Sequence, residues 1–265
     1  MLCSCSPRAG TCVVLCVLGL TCLCETATAQ PSSDRARFLR WMYRDALALT
    51  RTIDERTPLY VASAAAFLLP LSHFDPAINP AIQQRYRGRF GDFLDFANHF
   101  GGPGVKLPAV AVFAASLLTR DTHLQDAAFT SLQSLIYAGA ISYGLKYAFG
   151  RERPFEGDGA HDFDPFSGHT SFPSGHTTAA FALLTPWVLY YPHPVTYGLF
   201  ALSTGTALAR LARDKHWATD VIAGGAIGFL TAYHLSKRHL AERRRLSITP
   251  VIAPDALSMS LRLVL

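Results

Sequence analysis

The sequence predicts an all-α fold: a helical bundle of about six core helices with a short C-terminal β-hairpin. Three observations predict it. Six apolar segments rich in Ala, Leu and Gly run near 59–72, 107–119, 127–149, 174–191, 195–212 and 217–236, several of them of helical length. Proline and glycine mark the gaps, at Asp75-Pro76, Gly101-Gly102-Pro103, Gly150 and Tyr191-Pro192-His193-Pro194. No alternating pattern competes with the helical one before residue 246.

The bulk properties narrow the class. A chain of 265 residues suffices for one good-sized domain with a real core, or for two small ones. Half its residues are hydrophobic and 16% are charged, and the mean hydropathy of +0.20 is high for a cytosolic chain and low for one mostly buried in a bilayer. Against 19 acidic residues stand 24 Lys and Arg, for a net charge of +5. The excess is scattered, with no basic run interleaved with aromatics. That pattern excludes nucleic acid as the expected partner and suits anionic substrates or lipid headgroups.

Residues 1–29 read as a signal peptide. Arg8 is the positive flank, Thr11 to Cys24 the apolar stretch, and Ala27-Thr28-Ala29 a small-residue cleavage site. The alternative is an uncleaved N-terminal anchor. All six cysteines (Cys3, Cys5, Cys12, Cys16, Cys22 and Cys24) lie there, so cleavage leaves a mature chain without disulfides or thiolate metal ligands. Within an N-terminal helix region, 30–58, residues 34–50 set Phe38, Met42, Ala46 and Leu49 at helical spacing, with Arg35, Arg37, Arg40 and Arg44 among them. This amphipathic helix either lies on an anionic membrane surface or packs on its own domain.

The helical domain proper is assigned to 59–245. A spanning helix needs about 20 mostly apolar residues. The uninterrupted runs here are shorter: Leu59 to Leu71 contains Pro70, and Leu107 to Leu118 stops at Thr119-Arg120. These lengths suit core helices of an exported globular protein. Against that, Lys237-Arg238 and Arg243-Arg244-Arg245 form the positive flank that follows a spanning helix. In the tail, 246–265, Leu257, Met259, Leu261, Leu263 and Leu265 alternate with other residues after Pro254-Asp255, which predicts a hairpin covering something apolar.

The chemistry concentrates in three short stretches at the ends of apolar segments: Lys146 to Arg153-Pro154, then Pro173-Ser174-Gly175-His176, then Arg210 to His216 and Asp220. A phosphoryl group in transfer carries charge on its non-bridging oxygens and needs fixed donors aimed at them. Lys146, Arg153 and Arg210 supply three cations. Ser174 and Gly175 open a helix whose N–H groups and dipole favour an anion, with Ser174 placed to cap it. His216 and Asp220, spaced i, i+4, share one helix face, so the carboxylate can hold one imidazole nitrogen and leave the other nucleophilic. His176 can protonate the leaving oxygen. The pair needs neutral His216 and charged His176. The local cations argue for depressed imidazole pKa values and a bound phosphate for raised ones.

No H-E-x-x-H pattern is present and the flanking cations would repel a divalent ion, so the expected chemistry uses no metal and no cofactor. Several residues imitate the site. Ser167-Gly168-His169 lacks a proline lead-in and a following apolar helix, and it falls with His161, Asp162 and Asp164 in a loop over 155–172. Arg213 competes with Arg210, which has the better spacing to His216. His73, His99, His123, His193, His234 and His239 carry no supporting context.

At these residues the chain resembles the type 2 phosphatidic acid phosphatase family, which shares its site with bacterial acid phosphatases and vanadium haloperoxidases. The family pattern is Lys, six residues, Arg-Pro; then Pro-Ser-Gly-His; then Ser-Arg, five residues, His, three residues, Asp. Every position matches except Ala209, where Ser is usual. The resemblance covers roughly 105–236. It implies that His216 attacks phosphorus to form a phosphohistidine, that Asp220 orients it, and that His176 protonates the leaving group and later activates water. It also implies that Lys146, Arg153, Arg210, Ser174 and Gly175 hold the phosphate, in an α-helical bundle without metal. Membrane-embedded members have an extracytoplasmic site, which fits the export signal.

The expected activity is therefore metal-independent hydrolysis of lipid phosphate monoesters or diphosphates, of the phosphatidate or undecaprenyl diphosphate kind, by a membrane-associated or integral protein. The alternative is a soluble periplasmic non-specific acid phosphatase acting on small phosphoesters. Lesser alternatives are a vanadium haloperoxidase, for which the resemblance implies a much larger chain, and a non-catalytic scaffold.

Overall fold

The computed structural model describes residues 35–51, 55–85, 89–157, 159–243, 247–253 and 256–262. The expected signal segment and its six cysteines lie outside them. Among the described residues there are nine α-helices: α1 (Ala36–Arg51), α2 (Thr57–Ser72), α3 (Asp75–Gln83), α4 (Arg89–Asn98), α5 (Lys106–Ser116), α6 (Thr122–Phe149), α7 (Gly175–Tyr190), α8 (Pro194–Ala212) and α9 (Ala218–Arg243). The six apolar segments are α2 and α5 to α9. Helix α1 is the expected amphipathic helix, and α3 and α4 come in addition to the expected helices. Asp75-Pro76, read as a gap, is the start of α3, where proline sits in the first turn that tolerates its missing N–H.

Helix ends are set by local chemistry, and these ends carry the site. Asp121 caps α6, accepting the N–H groups of His123 and Leu124 at 2.8 and 3.1 Å. Gly150 terminates α6 at φ +54°, its N–H bonding the Lys146 carbonyl at 2.9 Å; a Cβ there would lie 1.7 Å from the Asp164 carbonyl oxygen. His193 caps α8 through Nδ1, which accepts the Val195 N–H at 3.3 Å. At the start of α9 the Asp220 carboxylate accepts the Trp217 N–H at 2.9 Å. Ser174 does not cap α7 as expected: its side chain makes no capping bond, and its hydroxyl oxygen accepts from the Thr177 hydroxyl at 3.0 Å instead.

Helix α7 is the centre of the bundle, packed against α6, α8 and α9, while α6 also packs on α9 and α4 on α8. At Gly224 of α9 a Cβ would stand 2.5 Å from the Ser174 carbonyl oxygen, so glycine lets α9 approach the start of α7. Of the two placements open to the N-terminal amphipathic helix, the structure has the second. Phe38 and Trp41 are buried with Phe129 of α6, Arg37 pairs with Asp126 at 2.9 Å, and the Trp41 indole donates to Glu242 at 2.7 Å.

No single described helix is long and apolar enough to cross a membrane; α2 and α3 together pass that test but are bent by 61°. Helix α2 has no charged residue and leaves Leu59, Tyr60, Val61, Phe67 and Leu69 each more than 60% exposed. In the tail the backbone of Ser247–Ala253 runs antiparallel to that of Ala256–Arg262. The turn at Pro254-Asp255 and the tail's side chains lie outside the described residues, so the covering role expected of a hairpin has no support here.

Candidate functional site

The three motifs meet at one end of the bundle. Lys146 stands in the last turn of α6, His176 in the first turn of α7, Arg210 in the last turn of α8, and His216 and Asp220 around the first turn of α9. Hydrogen bonds stitch the motifs together. The Lys146 ammonium donates to the carbonyls of Thr170 and Pro173, both at 2.5 Å. The Ser174 N–H donates to the Asp220 carbonyl at 2.9 Å. Arg153 donates to the Thr170 hydroxyl at 2.9 Å, and Arg210 to the Asn98 side-chain oxygen at 3.4 Å. Since the Ser174 N–H is engaged by the Asp220 carbonyl, the N–H groups that the first turn of α7 can offer an anion begin at Gly175, with the Ser174 hydroxyl beside them.

His216 is 2% exposed. Its Nδ1 lies 3.6 Å from Asp220 Oδ2, an ion-pair distance rather than a hydrogen bond, and has no hydrogen-bond partner. Asp220 spends its oxygens elsewhere. One accepts from Arg151 at 2.6 Å; the other accepts from the Ser171 hydroxyl at 2.5 Å and the Trp217 N–H at 2.9 Å. The expected orienting contact is thus electrostatic, and the carboxylate itself is what the structure fixes. Arg210, 8% exposed, keeps a buried Nε without a partner.

Burial and the crowd of cations set the protonation states. Burial pushes the His176 imidazole down to about 3, with Arg210, His216, Arg153 and Lys146 acting in the same direction. It lowers His216 to about 4; Asp220 opposes this, and Lys146 and Arg210 add to it. Burial also brings Lys146 to about 8, with Asp220 opposing and Arg153 and Arg210 assisting. Arg210 falls to about 10, from burial and then from Arg153 and Arg213. For Asp220 burial acts upward, yet His216, Arg151 and Ser171 together hold it below the usual carboxylate range. A neutral imidazole thus faces a cluster of cations that a phosphoryl dianion would neutralise.

The imitators sort themselves. His169 stands between Glu152 and Glu156, at 3.3 and 3.7 Å, on the loop. Asp162 and Asp164 hold that loop through their backbones, accepting from Glu152 and donating to Gly150. Arg213 pairs with Asp95 at 2.6 Å on the surface. His99 bonds the Asp95 carbonyl and His123 the Tyr190 carbonyl. His239, dismissed from sequence, is wholly buried and bonded to Asp45 at 2.8 Å.

Sequence reasoning missed Arg151, Asp75 and Asn98. Arg151 looks like any arginine in a polar run, and no spacing rule connects it to Asp75. Asp75-Pro76 did carry a usable signal as a helix start.

Residues 127–244 match the family model described as PAP2 superfamily. The match takes in the three motifs, so this part of the chain is similar to that superfamily. A Lipid A 1-phosphatase of Rhizobium etli is 36% identical over 100 residues, which is 36% of this chain and 43% of that protein. A Lipid A 1-phosphatase of Porphyromonas gingivalis is 36% identical over 104 residues, 38% of this chain and 21% of the relative. The chain thus matches less than half the length of either. Among solved structures, a transmembrane PAP2-type phosphatidylglycerolphosphate phosphatase from Bacillus subtilis superposes with a TM-score of 0.52 at 21% identity, over 69% of this chain and 97% of the other. That likeness is one of fold.

Proposed function

We propose that this protein is a phosphatase of phosphorylated lipids that works through a phosphohistidine on His216 and uses no metal ion. The observation that carries the reading is the convergence of three cations, one buried and one half-buried imidazole, and one fixed carboxylate at the ends of four helices. Lys146, Arg153 and Arg210, with the first turn of α7 around Ser174 and Gly175, hold the non-bridging oxygens. His216 Nε2, on the ring edge away from Asp220, attacks phosphorus as the ester P–O bond breaks. His176 gives its proton to the leaving oxygen. Water then attacks the phosphohistidine, His176 takes its proton, and inorganic phosphate leaves with His216 restored. The cations neutralise the developing charge, the task a divalent ion performs in other phosphatases. His176 is too weakly basic among these cations to be charged alone, so the incoming dianion supplies the countercharge that protonates it.

Two further observations favour a lipid substrate at a membrane: α2 presents apolar side chains on an uncharged helix, and the curated relatives act on the 1-phosphate of lipid A by name. The expected location is extracytoplasmic. The test is phosphate release in EDTA from lipid A 1-phosphate and phosphatidate, set against a small chromogenic phosphoester. Release from a lipid several-fold faster than from the small ester is expected. Equal rates on both support a broad-specificity acid phosphatase, and no release from any phosphoester contradicts the reading.

A further inference from the structure

Behind Asp220 lies a buried charge network whose other charged members no motif position specifies: Arg151 falls among the six unspecified residues between Lys146 and Arg153, and Asp75 lies far upstream. The Arg151 guanidinium is 1% exposed, and all five of its N–H groups are engaged. Nε and one Nη2 proton go to the Ala160 carbonyl, and the other Nη2 proton goes to Asp75 at 2.8 Å. Nη1 donates to the Thr219 hydroxyl at 2.8 Å and to Asp220 at 2.6 Å. Asp75, 0% exposed, opens α3 and closes the ring: it accepts the Thr219 N–H at 3.0 Å and the Thr219 hydroxyl at 2.6 Å. Two carboxylates and one guanidinium thus lie in one buried cluster, with a net charge of −1.

We propose that Arg151 and Asp75 are positioning residues for the His216–Asp220 pair: Arg151 clamps the Asp220 carboxylate where it stands, and Asp75 sets how much negative charge reaches the His216 ring. The inference rests on the phosphatase reading for its catalytic consequence only. Its physical basis is that a buried carboxylate with three donors to its two oxygens cannot swing to meet the ring, as the 3.6 Å separation records. Arg151 offsets part of the Asp220 charge. Asp75 offsets part of Arg151 and anchors the first turn of α9 to α3. The titratable and charged groups that face His216 are Asp220 on α9, Lys146 on α6, His176 on α7 and Arg210 on α8; α3 contributes the neutral Asn79, which bonds the His216 carbonyl at 3.1 Å.

The two residues carry opposite charges, so their loss moves His216 in opposite directions, which a purely structural role would not do. The experiment is an NMR titration of the His216 imidazole, assigned by difference from His216→Gln, with kinetics alongside. Arg151→Gln exposes Asp220 more fully to the ring and is expected to raise its pKa by about one unit. Asp75→Asn is expected to lower it by about half a unit. The double variant keeps the net charge of −1 and is expected to titrate within about 0.3 units of wild type, which keeps the test decisive where a single variant does not fold. In both single variants kcat is expected to fall about tenfold to a hundredfold with KM changed less than about threefold. Shifts of one sign in both single variants, or a displaced double variant, overturn the proposal. Opposed shifts in a wild-type protein that hydrolyses nothing would sink the phosphatase reading and leave the positioning intact; unmoved titrations in an active enzyme would do the reverse.

Discussion

Among the described residues two buried imidazole–carboxylate pairs are held in contrasting ways. His239 is bonded on both ring nitrogens, to Asp45 at 2.8 Å and to Thr130 at 2.8 Å, and its ring stacks on Trp41 with centroids 3.8 Å apart. Gln133 and Arg238 also serve Asp45. The pair fastens α1 to α6 and α9, with nothing left over. His216 has a nearby carboxylate that does not bond it, a free Nδ1, and a pKa pushed down by burial among cations. Full satisfaction marks a structural histidine, and deliberate under-satisfaction marks a reactive one.

The contrast is sharpest under substitution. His216→Gln is expected to abolish turnover, by about 10⁴-fold or more in kcat, with the fold kept. His239→Gln is expected to leave kcat near wild type but to cost about 3 kcal/mol of stability, because Asp45 stays buried with its main partner gone. Phosphate release and denaturant midpoints on the two variants read both effects. Loss of activity in both, or in neither, breaks the comparison.

Acidity separates the pairs more gently. The unfolded chain protonates His216 and His176 near 6.5, whereas the folded protein holds them to about 4 and about 3. The unfolded state therefore binds more protons in that window, and stability falls as pH drops from about 6.5 toward 4. His216→Gln is expected to flatten that slope. Asp45 is also held below its ordinary value, burial being outweighed chiefly by His239, so its share of stability is lost only at more acid pH, below about 3.8. Denaturant midpoints against pH test this; a variant as steep as wild type between 6.5 and 4 contradicts it.

Much of this was legible in the sequence, for definite reasons. The long helices announce themselves because they are apolar almost throughout and punctuated by Gly150 and Pro192. The short ones do not: α4 mixes charge with aromatics, α3 is nine residues with prolines at 76 and 80, and their burial comes from α8 and α9 rather than from their own pattern. The site residues sit at helix ends in fixed spacings, which a linear reading can find. What supports them is long-range. Asp75 and Arg151 are 76 residues apart, Arg210 and Asn98 are 112 apart, and no local rule joins them. Ser174 has the residue type and position of a cap, but Thr177, one turn on, takes up its hydroxyl.

The most direct measurement is a rapid quench of the protein with a radiolabelled lipid phosphate, stopped in alkali and mapped by peptide. Label on the peptide that carries His216, absent in His216→Gln and formed no more slowly than phosphate appears, is the predicted result. Steady turnover with no protein-bound label, or label on His176, would contradict the account.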